Sequence, residues 1–245
     1  MAGCIDVTTR PGYHPTAHAR FPVARVLALG ALLGALGCTG TPAPQPVGPA
    51  SPSVAEEATR ATAPDQPLRI VFDWTLQERE GRFSGRGVAR VEPPYRARLD
   101  LFGPRGDTYL SAAVVDDEVR LPPAAPRTVA IPPPTLLWSA LGVVRPPEGA
   151  TLVATAQDGD RTRLEYVEGN DRWRFLLEGG RLRQAELDRA GAGRQTVELK
   201  GEAALGLPRE AVYRDWAEYI ELNLTLVEAG NVEPFPPEIW TPGAP

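Results

Sequence analysis

The sequence predicts a mainly β domain: one strongly curved antiparallel sheet of about ten or eleven short strands folded around a single short helix. Three observations carry this. Apolar residues alternate with polar ones over many short runs from Leu68 onward, the period of half-buried strands. Turn residues, among them Asp158-Gly159, Gly169-Asn170-Asp171 and Gly179-Gly180, punctuate those runs at hairpin spacing. Only Thr135 to Gly142 reads as a helix, so the strands do not alternate with helices as they would in a parallel sheet.

The elements follow in order. Leu68, Ile70, Phe72, Trp74 and Leu76 share one parity. After the Glu80-Gly81 turn, Phe83, Gly85, Gly87, Ala89 and Val91 share the next. Two glycines on an inward parity predict sharp curvature or close approach of another element. Pro93-Pro94 breaks that strand; Tyr95, Ala97, Leu99 and Leu101 form another, and Thr108–Val115 pairs with Glu118–Leu121 around Asp116-Asp117. A loop with six prolines, Pro122 to Pro134, leads to the helix. Thr135 is its expected N-cap and Gly142 its stop, with Leu137, Ala140 and Leu141 on one apolar face. After Pro146-Pro147 strands resume from Thr151, include Arg172 to Leu177 with Trp173 and Phe175 inward, and end near Leu226. Glu228 to Trp240 is expected to trail off. Arg69, Arg86, Arg96, Arg98, Arg172 and Arg174 fall on the outward parity and read as a solvated face, the alternative being a surface for anionic lipid or a polyanion.

Ahead of this domain, residues 68–242, stand two different segments. Val26 to Gly37 is an uncharged apolar run of 12 residues behind Arg20 and Arg25. As a helix it covers about 18 Å, short of a ~30 Å hydrocarbon core, and so it suits a signal peptide over residues 1–37. Met1 to Pro22 is long for its flank and carries Asp6; translation from Val23 or Val26 would leave the mature protein unchanged. Ala35-Leu36-Gly37-Cys38 resembles a bacterial lipobox, with Ala35 and Leu36 in place of the usual leucine and small residue. The resemblance implies diacylation of Cys38 as the mature N-terminus. Residues 38–67 are rich in Pro, Ala, Ser and Thr and hold no aromatic, the composition of a disordered tether.

Composition narrows the chemistry. The 245 residues carry a net charge of −5, with no basic footprint for nucleic acid. Both histidines, His14 and His18, and both cysteines, Cys4 and Cys38, precede Thr39. The domain therefore has no residue for a His-based triad, a cysteine nucleophile or most metal sites, and no cofactor is expected. Carboxylates and a Ser-Lys pair remain, drawn from Ser84, Ser111, Ser139 and the single lysine, Lys200. Asp116-Asp117 reads as hairpin solvation, so an enzyme is not expected.

Pro94-Tyr95-Arg96-Ala97-Arg98-Leu99-Asp100-Leu101-Phe102-Gly103-Pro104-Arg105-Gly106 resembles the strand and turn of LolA-like and LolB-like envelope lipoproteins. Leu136 to Gly142 sits where those proteins place a lid helix, and Leu207-Pro208 before two final strands also matches. The resemblance covers Leu68 to Trp240. It implies an unclosed β-barrel with an apolar concavity for acyl chains, with Phe72, Trp74, Leu99, Leu101, Trp173 and Phe175 as walls and Leu136, Leu137, Trp138 and Leu141 as the lid. Each buried methylene contributes about 0.8 kcal/mol, so a sixteen-carbon chain gains on the order of 10 kcal/mol before ordering costs. LolB-like proteins engage the membrane through a protruding apolar residue; Pro104-Arg105-Gly106-Asp107 is polar here, so that step attaches to no residue of this chain. Thr39 after Cys38, by analogy with sorting rules, implies outer-membrane delivery, facing the periplasm. The function implied is a monomeric lipoprotein that binds acyl chains or lipoproteins; the alternative is a non-catalytic assembly lipoprotein with a filled core. Plain core packing is an alternative for each wall residue.

Overall fold

The computed structural model describes residues 48–123, 131–191 and 193–243. The expected signal peptide, Cys38 and the first part of the tether lie outside them. No described helix is long and apolar enough to cross a membrane.

Among the described residues thirteen antiparallel strands form one sheet. They are β1 (Gly48–Pro49), β2 (Leu68–Glu78), β3 (Gly81–Glu92), β4 (Arg96–Phe102), β5 (Thr108–Val115), β6 (Glu118–Arg120), β7 (Thr151–Asp158), β8 (Arg161–Glu168), β9 (Asp171–Glu178), β10 (Arg181–Arg189), β11 (Gly193–Glu202), β12 (Pro208–Asp215) and β13 (Ile220–Asn231). Their order is β1-β7-β8-β9-β10-β11-β12-β13-β2-β3-β4-β5-β6. The edges β1 and β6 do not pair with each other, so the expected open barrel is present, with more strands than the sequence suggested. One extra strand is the two-residue β1, too short to show alternation.

The inward parities read from the sequence hold across β2 to β4. Ile70, Phe72 and Trp74 are buried on the concave face with Ala89, Val91 and Leu101. The two inward glycines of β3 are explained by contact. A Cβ on Gly85 would lie 1.8 Å from the Phe102 carbonyl oxygen, and one on Gly87 would lie 2.3 Å from the Phe72 ring. The Trp74 indole N–H donates to that same Phe102 oxygen at 3.2 Å.

Three expectations need correction. The tether does not run to Pro67: Pro52–Thr62 forms helix α1. Pro52 at its first position and an Ala/Glu/Arg run favour the helix. Ala55 and Ala58, three residues apart on one face, are buried in the core of β8 to β12. Thr62 Oγ1 accepts the Val144 N–H at 2.9 Å, and Thr155 Oγ1 donates to the Pro49 carbonyl at 2.9 Å. Small residues that read as spacer are here the residues that let a helix approach the sheet closely.

Helix α2 is Pro134–Ala140, and its N-cap position is Pro133, not Thr135. Thr135 lies inside the first turn, where its carbonyl accepts the Ser139 hydroxyl at 2.8 Å. Gly142 ends the helix as expected, at φ +85°.

The C-terminal segment does not trail off. β13 continues to Asn231 across a bulge at Leu226/Glu228 that breaks the alternation. The 3-10 turn Pro237–Trp240 then packs on the outer face of β4 and β5. Trp240 is buried, stacked edge-on by Phe235 and capped by the Arg96 guanidinium. Beneath this strap Asp100 accepts Arg90 at 2.6 Å, Arg98 at 3.0 Å and the Ser111 hydroxyl at 2.7 Å, while Arg98 also donates to the Ile239 carbonyl. The outward arginines are laddered with acids: Arg86 with Asp73, Arg172 with Glu165, Arg174 with Glu186.

Candidate apolar binding site

The core has two halves, and α2 is wedged between them. Leu136 belongs to the cluster of β8 to β12, which α1 also covers. Trp138, Leu137 and Leu141 belong to the cluster of β2 to β5. Leu136 and Trp138 are 0% and 1% exposed. A helix buried around most of its circumference is a plug, not the one-faced lid that the 3/4 spacing suggested.

Between α2 and the concave face lies an apolar cavity of about 100 Å³. β4 contributes Leu99 and Leu101 to its wall, β5 contributes Tyr109 and Leu110, and β13 contributes Leu222 and Leu224. Leu136, Leu137, Trp138 and Leu141 border it from the helix side. Six of the ten residues expected at an apolar site thus meet around one space. Phe72 and Trp74 stand beside it. Phe72 borders an adjoining void of about 40 Å³, and the Trp74 ring stacks 5.0 Å from Tyr109.

Trp173 and Phe175 do not join the site. They lie in the other core cluster, with the Phe175 ring edge-on to Tyr166. Both are inward, as parity requires, but on the part of the sheet filled by side chains and α1. Parity identifies a face of a sheet and not the place along it where packing leaves room. Tyr109, Tyr213, Leu222 and Leu224 were missed as wall residues, although Leu222 and Leu224 alternate as visibly as any chosen pair.

The helix is fixed at its C-terminal end. The Tyr95 ring meets Trp138 edge-on at 5.7 Å, Arg145 stacks 3.9 Å over Tyr95, and Arg145 binds Asp117 at 3.1 Å. Asp117, expected as hairpin solvation, therefore holds the return from α2. The polar side chains bordering the cavity are Arg98 and the phenols of Tyr109 and Tyr213. Burial pushes Tyr213 well above the ordinary tyrosine range, with Asp215 adding to it. Burial, then Glu78, raises Tyr109. Of the groups considered for Ser-Lys chemistry, Ser139 is buried against its own helix, Ser111 binds Asp100, and Lys200 is exposed on β11. Among the described residues no cluster of three or more His, Cys, Asp or Glu could hold a metal ion.

No family model matches the chain, and no curated protein matches it. Solved structures do. A LolA superfamily protein from Nitrosomonas europaea superposes with a TM-score of 0.52 at 11% identity, over 78% of this chain and 97% of that one. A domain from Vibrio parahaemolyticus named for outer membrane lipoprotein sorting gives a TM-score of 0.46 at 10% identity, over 76% and 94%. A DUF1329 family protein from Desulfovibrio piger gives 0.47 at 8% identity, over 79% and 97%. At such identities the first of these likenesses speaks to architecture, and it agrees with the resemblance read in the sequence: the chain has the LolA-like fold, an open antiparallel half-barrel around a short helix.

Proposed function

We propose that the protein is an envelope lipoprotein that holds an acyl chain, of a lipid or of another lipoprotein, on the concave face of its half-barrel. It is anchored by diacylated Cys38 in the outer membrane and faces the periplasm, and it does no chemistry on its ligand. The observation that carries this reading is the apolar space closed by α2, bordered by Leu99, Leu101, Leu137 and Leu141. Burial of methylenes there needs no catalytic group and no cofactor. The lipobox-like Ala35-Leu36-Gly37-Cys38 supports the anchor.

One measurement favours a second reading. At about 100 Å³ the cavity is below the roughly 300–1,000 Å³ of small-molecule sites. Either α2 yields to admit a chain, or the core is filled and the protein is an assembly scaffold. Mass spectrometry of lipids extracted from the purified protein separates the two. A stoichiometric acyl compound besides the Cys38 anchor supports the carrier, and its absence together with no uptake of a fluorescent fatty acid leaves the scaffold. Fractionation of Cys38→Ser tests the anchor; the variant is expected in the soluble periplasm.

A further inference from the structure

The apolar cavity has a larger neighbour. A cleft of about 460 Å³ lies between the end of α1, the β9–β10 turn and the 3-10 turn Ala204–Gly206. That volume lies within the roughly 300–1,000 Å³ of small-molecule sites, where the cavity's does not. Of the residues that border the cleft, Asp65, Gly180, Glu202 and Leu205 are exposed, while Ile70, Val91, Leu182 and Leu207 are apolar and buried. It therefore reaches from solvent to the core. Leu205 is an apolar side chain held in solvent, 51% exposed, at φ +60°, a conformation that favours glycine.

Between cleft and cavity lies the void of about 40 Å³, and β2 gives the order of the three. Ile70 borders the cleft and the void, Phe72 the void, and Leu76 the cavity. On β13, Leu226 borders the void, Leu224 the void and the cavity, and Leu222 the cavity. Their partners on β2 are Phe72, Trp74 and Leu76, so both strands give the same order. From Ile70 to Leu76 is about 20 Å at strand rise. One leaflet's share of a ~30 Å hydrocarbon core is about 15 Å. The series is long enough for one acyl chain of a membrane lipid. Its far end, beside Leu76, is packed by rings: Tyr109 lies 5.0 Å from Trp74 and 5.7 Å from Phe83.

Among the described residues only Leu141 borders all three spaces. It directly follows α2, and its backbone is fixed. Its N–H donates to the Trp138 carbonyl at 3.0 Å, and Gly142 turns the chain at φ +85°, where a Cβ would lie 3.3 Å from the Pro208 ring. The leucine side chain itself is only half-buried. It can change rotamer while its backbone stays in place.

We propose that the cleft is the mouth of the acyl site and that Leu141 sets how much of a chain the site admits. A single unbranched chain enters past Leu205, keeps its polar end in the cleft, and passes its tail by Leu141 into the void and the cavity. The proposal rests on the acyl-chain reading and adds the entrance and the residue that determines chain length. The buried apolar residues of the cleft accommodate the first carbons. Every further methylene gains burial only beyond Leu141.

The test measures binding of the purified protein to monoacylglycerols of eight, ten, twelve and fourteen carbons, below their micelle concentrations, with a thermal melt of each variant. Wild-type affinity should rise with length, by up to about fourfold per methylene. Leu141→Phe should bind the eight-carbon compound like wild type and gain little from longer chains. Leu141→Ala should strengthen the fourteen-carbon compound about two- to fivefold, the range of one leucine's rotamer freedom, and decides the matter alone if Leu141→Phe does not fold. Leu205→Gly relieves the backbone, so it should melt no lower than wild type and weaken all four lengths by one factor. The same length dependence in wild type and both Leu141 variants, or Leu205→Gly without effect, would overturn the proposal and leave the acyl-chain reading intact. So would wild-type affinity that does not rise with length. No binding of any compound would overturn the acyl-chain reading itself.

Discussion

Thr62→Val isolates the docking of α1, the element whose residues read as tether. Val144 is fully buried, and its N–H has Thr62 Oγ1 as its partner at 2.9 Å. Valine keeps the shape and removes the acceptor. A buried amide left unpaired costs about 1–3 kcal/mol. In a chain of this size each kcal/mol lowers Tm by about 2–4 °C, so the expected loss is about 2–12 °C in a thermal melt followed by circular dichroism. Thr62→Ser keeps the oxygen and should stay near wild type. Removing the chain through Pro64 should cost more than Thr62→Val, because it also uncovers the sheet beneath Ala55 and Ala58. If Thr62→Val and the truncation both melt with the wild-type protein, α1 contributes nothing, and residues up to Pro67 are the dispensable spacer that composition alone suggests.

Three further outcomes follow from the same contacts. Asp100→Asn leaves Arg90 and Arg98 without their shared carboxylate; with both arginines partly exposed, the cost should be about 2–3 kcal/mol by urea titration, with faster proteolysis of the strap at Pro237–Trp240. The raised Tyr213 ionisation has a sign. The folded state keeps its phenol protonated above pH 10 while the unfolded chain loses the proton, so its stabilisation is complete below pH 10 and falls as pH rises further, by up to about 1.4 kcal/mol per unit. Tyr213→Phe should flatten that slope in urea melts at pH 9 to 11, leaving the parts due to Tyr166 and Tyr109. Leu137→Asp, at the half-buried cavity side of α2, should abolish uptake of a fluorescent fatty acid with a fall in Tm of only a few degrees, whereas Leu136→Asp buries an unpaired carboxylate and should prevent folding.

What could be read from the sequence was set by period. The concave face of β2 to β4 was legible because Phe72, Trp74, Leu99 and Leu101 alternate with charges, and the crowding at Gly85 and Gly87 was one of two readings, beside sharp curvature, that glycine on an inward parity allows. α1 was illegible for the opposite reason. Its buried residues are two alanines, which composition assigns equally to a spacer and to a closely packed helix. β13 was cut short because its bulge breaks the alternation at Leu226/Glu228, where the strand pattern stops. The strap escaped notice because Trp240 packs on an outer face that parity assigns to solvent.

The candidate site was half legible, and the missing half has a physical cause. Strand parity states which way a side chain points and is silent on what faces it. Trp173 and Phe175 point inward as surely as Leu99 and Leu101, yet α1 and Leu136 fill the space before them. Beside α2 a space remains over β4, β5 and β13, and the half-buried Leu137 and Leu141 border it together with the buried Leu136 and Trp138.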